Sequence, residues 1–195
     1  MTVAVVTNEC QRGAIGDHAL WPALVDAARP MIPSLARLLR AARERAIPVV
    51  HCVAIRREDL LGANTNAPLF GVANRSGGLR AGTPSVELVP ELGPAASDLV
   101  FPKTHGVASL RSTGVDAALR HLRVEEIVLT GVSVNVAIQA LAFEAVNRGY
   151  RVTIPRDAVA GVPPAYATEV LDNALSLVAT LTSVDDLIER WSSAA

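Results

Sequence analysis

Six short apolar runs separated by helix-like segments limit most strongly what this chain can fold into. They cover residues 3–7, 47–53, 98–102, 126–130, 151–154 and 179–182. Runs of this length with few polar residues are typical of strands that are covered on both faces, as in parallel sheets. The pattern predicts an α/β fold, a three-layer α/β/α sandwich with a mainly parallel, Rossmann-like six-stranded sheet.

Helical periodicity fills most of the intervals between the runs. Helices are predicted over residues 30–46, 112–120, 134–147, 163–177 and 184–191, and Ser183 is a suitable N-cap for the last of them. Residues 56–84 lack periodicity and are rich in Gly, Asn and Pro. A loop of this length usually covers a site or forms an interface, so either role is expected here.

Charge and composition exclude several classes of protein. The formal net charge is −1 and the pI about 6.4, which gives no electrostatic basis for binding nucleic acid or an anionic membrane. No run approaches the ~18 apolar residues of a membrane span. The N-terminus enters a strand without a basic leader, and there are two cysteines. A cytoplasmic location is therefore expected.

Lys103 is the only lysine in a chain with 18 basic residues, and the other 17 are arginine. Arginine cannot easily replace lysine where a compact point charge or a titratable amine is needed. The sequence therefore favours a functional role for Lys103, although codon bias also explains a single remaining lysine.

The carboxyl ends of the predicted strands carry the candidate site. Glu9 follows the first strand, Lys103 closes the third, and residues 131–138 turn from the fourth strand into a helix. A sharp strand-to-helix turn gathers backbone N–H groups that suit an anion or a developing oxyanion. The chain has neither a GxGxxG motif after the first strand nor a Walker loop, so no cofactor is predicted.

Four short segments occur in the order of a known family. Residues 9–11 (Glu-Cys-Gln), the lysine that ends a strand, residues 131–138 (Gly-Val-Ser-Val-Asn-Val-Ala-Ile), and residues 148–150 (Arg-Gly-Tyr) followed by Asp-Ala make up the pattern. The chain resembles the isochorismatase-like, or cysteine hydrolase, family, which includes nicotinamidases, N-carbamoylsarcosine amidases and vinyl-ether-cleaving isochorismatases. The resemblance implies a single isochorismatase-like domain over residues 1–195.

The resemblance also implies catalytic roles. In the family an acid takes the proton of a cysteine, a lysine is its charged neighbour, and the thiolate attacks an amide carbonyl. The corresponding positions here are Glu9, Lys103 and Ala137, of which Ala137 is the nucleophile position. Glu9 replaces the usual aspartate and Ala137 the cysteine, so thioester chemistry cannot run. A cis peptide is implied at Val132–Ser133.

Further expectations concern ligands and assembly. The residues expected to bind substrate are Gln11, His105, Val132, Ser133 and Asn135. Some nicotinamidases carry an Asp-x-His metal site after the second strand, which residues 51–56 lack, so no metal is predicted. Cys10 faces away from Glu9 along an extended segment and is expected to pack in the core. The resemblance implies a small-molecule substrate, and because members of the family oligomerise it also implies a homo-oligomer, either a dimer or a tetramer.

Three hypotheses for function stay open at this point. The first is a cysteine-less hydrolase that cleaves a vinyl ether or a C–N bond, with Glu9 as general acid/base and Lys103 as its electrostatic partner. The second is a pseudoenzyme that binds a small ligand or serves as a structural subunit. The third is an amidase, if Ala137 is an engineered replacement of cysteine.

Overall fold

The apolar runs form the parallel sheet that their pattern predicts. A computed structural model describes residues 2–193 of the chain. Within these residues the sheet has seven strands, which are β1 Val3–Asn8, β2 Val49–Ala54, β3 Leu99–Lys103, β4 Glu126–Val132, β5 Arg151–Pro155, β6 Val159–Ala160 and β7 Thr180–Thr182. The prediction of six strands missed β6, because a strand of two residues has no detectable pattern.

The order of the strands places the candidate site at the centre of the sheet. The strands run β3-β2-β1-β4-β5-β7, β6 pairs with β4, and every pairing is parallel. The chain moves outward from β1 through β2 to β3 and then crosses to β4 on the other side of β1. In open parallel sheets, ligands bind at the carboxyl ends of the strands beside such a reversal. Asn8 pairs with Cys52 and Gly131 there, so the ends of β1, β2 and β4 meet.

Helices cover both faces of the sheet. The described residues contain α1 Arg12–Ile15, α2 Pro22–Ala28, α3 Met31–Glu44, α4 Pro68–Arg75, α5 Ser109–Ser112, α6 Val115–His121, α7 Gln139–Asn147, α8 Pro164–Asn173 and α9 Val184–Ser193. One core lies between the sheet and α5–α8, and the other between the sheet and α1–α3 and α9. Successive residues of β1 alternate between them, since Ala4 and Val6 contribute to the first core and Val5 to the second.

The predicted helices differ from the observed ones mainly at their ends. Within the segment 112–120 the helix α6 begins only at Val115, and Ser112 is the last residue of the preceding helix α5. The segment 134–147 begins as a π-helical turn, Val134–Ile138, before α7. The long loop contains α4, and none of the residues of this helix is buried. Ser183 caps α9 as predicted, because its hydroxyl accepts the N–H of Asp186 at 3.1 Å. Over residues 2–193, no helix combines the length and apolar character of a membrane-crossing segment.

A buried polar cluster ties the centre of the sheet to α3. The Nδ1 atom of His51 lies 2.7 Å from the Thr7 hydroxyl, and its Nε2 atom lies 3.2 Å from an Asp98 carboxylate oxygen. Arg43 donates two hydrogen bonds to the same carboxylate, at 3.0 and 2.8 Å. Burial lowers the pKa of His51, and the contact with Asp98 opposes this only in part. These contacts fit a neutral imidazole that donates from Nε2 and accepts at Nδ1.

We expect this histidine to make the fold less stable in mild acid. Because the pKa of His51 is lower in the folded state than in the unfolded chain, the unfolded chain takes up the extra proton below pH ~6.5. The free energy of unfolding should therefore fall as the pH drops from 7.5 to 5, with a slope of at most about 1.4 kcal/mol per pH unit from this one group. Urea denaturation at several pH values measures the slope.

The control for this experiment is the exposed His121 at the end of α6. The substitution His51→Gln should flatten the profile between pH 7.5 and 5, whereas His121→Gln should leave it unchanged. An unaltered slope in His51→Gln would contradict the assignment. Below about pH 4 a second loss of stability is expected in both variants, and it comes from Asp98. Burial raises the pKa of Asp98, but the hydrogen bonds from Arg43, Ala95 and His51 outweigh burial and lower it overall.

Candidate active site

Glu9 directs its carboxylate into a cavity at the carboxyl ends of the strands. The cavity has a volume of about 220 Å³, and Glu9 contributes to its wall. The residue follows β1 in the left-handed region, with φ of 53°. This backbone conformation is uncommon for residues other than glycine, and such outliers cluster at functional sites. The Glu9 N–H is fixed by the carbonyl of Cys52 at 2.8 Å, so the turn is held by β2.

The single lysine is the electrostatic partner of this glutamate. Lys103 at the end of β3 donates from Nζ to Oε1 of Glu9 at 2.6 Å and to the carbonyl of Val107 at 2.7 Å. Its side chain is 4% exposed and that of Glu9 25%. A charge this deeply buried requires a compensating partner. The pair leaves Oε2 of Glu9 without a protein donor among the described residues.

The end of β4 leads into a turn that lines the same cavity with Ser133, Asn135, Val136 and Ala137. Gly131 has φ of +99°, and the peptide between Val132 and Ser133 is cis, which confirms the geometry implied by the family resemblance. A π-helical turn follows and carries Ala137, 5% exposed, to the cavity surface. The nucleophile position of the family thus faces the same space as Glu9 and presents only a methyl group.

Asn8 locks this turn against the end of β1. Its Nδ2 atom donates to the carbonyl of Val132 at 2.6 Å, and its Oδ1 atom accepts the Ser109 hydroxyl at 3.3 Å. Asn8 is fully buried and directly precedes Glu9. Sequence reasoning missed this role, although a buried polar residue at the end of an apolar strand is the signal that marks it.

Six of the eight predicted site residues share the cavity wall. They are Glu9, Lys103, His105, Ser133, Asn135 and Ala137. Gln11 and Val132 were expected to bind substrate, but neither contributes to the wall. The Gln11 amide is used by the backbone, since it accepts the N–H of Ala54 at 2.7 Å and donates to the carbonyl of Ala54 at 2.9 Å. Val132 is buried and its carbonyl is taken by Asn8.

Both thiols lie in the core. Cys10 and Cys52 are fully buried or nearly so, and neither lines the cavity. Burial raises the pKa of Cys10 to about 12 and that of Cys52 to about 11. A buried thiol with a raised pKa is a poor nucleophile. The prediction that Cys10 packs in the core is confirmed, and neither cysteine substitutes for the absent nucleophile.

The long loop covers the site, which was one of its two expected roles. Asn64, Leu69 and Phe70 of the loop line the cavity together with Trp21, so its outer wall is largely apolar and aromatic. Arg56, just after β2, also lines it and was not selected from the sequence. No group of three or more His, Cys, Asp or Glu residues within the described range is arranged to hold a metal ion.

Comparisons with known proteins agree on one family. A family model, the isochorismatase domain, matches residues 3–186. The isochorismatase family protein YaaI of Bacillus subtilis (strain 168) is 27% identical in an alignment of 111 positions, which covers 54% of this chain and 59% of that protein. The match thus spans less than two thirds of that relative.

Solved structures extend the similarity over nearly the whole chain. An isochorismatase family protein from Desulfovibrio vulgaris is 26% identical with a TM-score of 0.86, and 98% of each chain is covered. A cysteine hydrolase from Pseudomonas syringae pv. phaseolicola is 24% identical with a TM-score of 0.86, over 99% of this chain and 93% of that one.

Proposed function

The chain belongs to the isochorismatase family, and we propose that it is a hydrolase that cleaves a C–N bond of a small molecule without a cysteine nucleophile. In this proposal Glu9 is the general base, Lys103 is its electrostatic partner, and water replaces the thiolate. The single observation that carries the proposal is the Glu9–Lys103 pair, which lines the same cavity as Ala137.

The pair supports a base rather than an acid. Lys103 donates a hydrogen bond to one oxygen of the carboxylate, and the other oxygen is left to accept a proton. Vinyl-ether cleavage needs a carboxyl group that donates a proton to carbon, whereas Glu9 acts here as the acceptor of the Lys103 ammonium group at 2.6 Å. This contact is the reason for preferring hydrolysis of an amide or related C–N bond.

In the proposed reaction a water molecule lies between Glu9 and the methyl group of Ala137. Glu9 takes one proton from it, and the hydroxide adds to the carbonyl carbon of the substrate. The helix start after Ser133 offers backbone N–H groups to the oxyanion that forms. The C–N bond then breaks, the proton on Glu9 passes to the leaving nitrogen, and the products are a carboxylic acid and an amine.

The test is an assay of the purified protein on a panel of small amides, N-carbamoyl compounds and vinyl ethers. We expect the wild-type protein to release ammonia or an amine from at least one compound with a C–N bond. Glu9→Gln should lower this turnover by at least about 100-fold, because an amide cannot take the proton from water. Glu91→Gln, which removes an exposed carboxylate outside the cavity, should have no effect.

Two results would overturn the proposal. One is turnover that Glu9→Gln leaves unchanged, which would remove Glu9 from the chemistry. The other is binding of panel compounds, detected by thermal shift, with no product from any of them. That second outcome would instead support a ligand-binding pseudoenzyme.

A further inference from the structure

Arg56 is held rigidly at the edge of the cavity. Its backbone N–H donates to the carbonyl of Leu79 and its own carbonyl accepts the N–H of Ala81, both at 2.8 Å. Its Nη1 atom donates to the carbonyl of Gly78 at 3.0 Å. The two backbone bonds attach Arg56 to the far end of the long loop, and the Nη1 bond restrains its guanidinium group before any ligand arrives.

This guanidinium group has no carboxylate partner within the described residues. Three residues with fixed charges line the cavity, Glu9, Arg56 and Lys103, and the only acid among them is already bound by Lys103. The cavity therefore carries one excess positive charge. Burial lowers the pKa of Arg56, and the more distant charge of Glu9 offsets this only in part. A half-buried cation without a counter-ion is costly unless a bound anion completes it.

The bonding pattern indicates the chemical class of that anion. Only Nη1 of Arg56 is used by the protein, so the edge formed by Nε and Nη2 keeps two parallel N–H groups free of protein acceptors in the described part of the chain. Such an edge matches the two oxygens of a carboxylate. The wall beside it includes Trp21, Leu69 and Phe70, which suits an apolar or aromatic body.

We propose that Arg56 determines substrate specificity by binding a carboxylate group of the substrate through its Nε and Nη2 edge. The substrates are then small carboxylic acids with an apolar body and a second, scissile C–N group placed toward Glu9. This inference rests on the proposed function only in taking the cavity as the substrate site. Arg56 itself takes no part in proton transfer.

Benzoate and its neutral isostere nitrobenzene test the inference without any turnover. Isothermal titration calorimetry would measure both ligands against the wild-type protein, Arg56→Gln and Arg75→Gln. Arg75 is an exposed arginine at the end of α4 that does not line the cavity. Arg75→Gln therefore changes the net charge by the same amount as Arg56→Gln without changing the cavity. We expect benzoate to bind the wild type more tightly than nitrobenzene.

Arg56→Gln should weaken benzoate binding by about tenfold or more, as for other charge-assisted hydrogen bonds, and leave nitrobenzene unchanged. Unchanged nitrobenzene binding shows that the cavity is still folded. The inference is overturned if wild type does not bind benzoate at millimolar concentration or prefers nitrobenzene. It is also overturned if Arg56→Gln affects both ligands equally or neither, or if Arg75→Gln has the same effect.

The binding experiment and the turnover assay fail independently. Benzoate binding that depends on Arg56, together with an inactive panel, supports this inference and contradicts the proposed hydrolysis. Hydrolysis of neutral amides that does not change in Arg56→Gln supports the proposed hydrolysis and contradicts this inference.

Discussion

A Gly131→Ala protein is expected to lose roughly 4 kcal/mol or more of stability, a large share of the roughly 5–15 kcal/mol that stabilises a typical domain. A Cβ atom at this position would lie 2.3 Å from the carbonyl oxygen and 2.9 Å from the nitrogen of Asn8, and both are backbone atoms that cannot move aside. The residue also has φ of +99°, which L side chains rarely adopt. Far-UV circular dichroism and urea denaturation measure the loss.

Gly149 provides a matched control after the end of α7. It has a similar φ of +87°, but a Cβ atom there would meet nothing within 4 Å. Gly149→Ala should therefore show only the backbone cost of about 1–2 kcal/mol. The difference between the stability losses of the two variants measures the cost of the close approach between β1 and β4 beneath the site. Equal losses would contradict the clash and leave only the backbone conformation as a cause.

Lys103→Met is expected to lower the proposed activity at least about 100-fold, because the electrostatic partner of the general base is lost. It should also lower the free energy of unfolding by about 1–3 kcal/mol, because Glu9 then keeps its charge in a partly buried site. This estimate is below that for a fully buried pair because the Glu9 side chain is 25% exposed. Methionine keeps the length of the side chain, so packing is largely preserved.

A double-mutant cycle separates the charge from the packing. The variant with both Glu9→Gln and Lys103→Met has no unpaired charge, so it should be more stable than the sum of the two single losses predicts. Urea denaturation of the four proteins gives the coupling free energy. Additive losses would mean that the contact at 2.6 Å contributes nothing to folding.

The sheet was predictable because its signal is local. Strands β1, β2, β4 and β5 are apolar over most of their lengths, and burial on both faces removes the polar alternation that would otherwise confuse the assignment. The helices were harder to predict where helical periodicity competes with residues that interrupt a helix. The segment 112–120 has the periodicity of one helix, yet Thr113 and Gly114 interrupt it, and the Thr113 hydroxyl bonds back to the carbonyl of Ser109.

The site was only partly predictable because its geometry depends on contacts between distant segments. The positions of Glu9, Lys103 and Ala137 follow from motifs at strand ends, which the parallel sheet brings together. Gln11 carries the same motif signal, but its amide turns to Ala54, 43 residues away. Arg56 could not be selected from the sequence, since 16 other arginines look alike until burial and the missing acid distinguish it.

The hydrogen bonds that hold the segments around the candidate site have a further consequence for the fold as an engineering scaffold. They come from Asn8 to Val132, from Gln11 to Ala54 and from Lys103 to Val107, and the methyl group of Ala137 has no part in them. The frame of the site and the identity of its reactive group are therefore separable. A thiol or a hydroxyl introduced at residue 137 would enter a preformed setting of a carboxylate, an ammonium group and an apolar wall, so different catalytic chemistries can be compared in one unchanged structure.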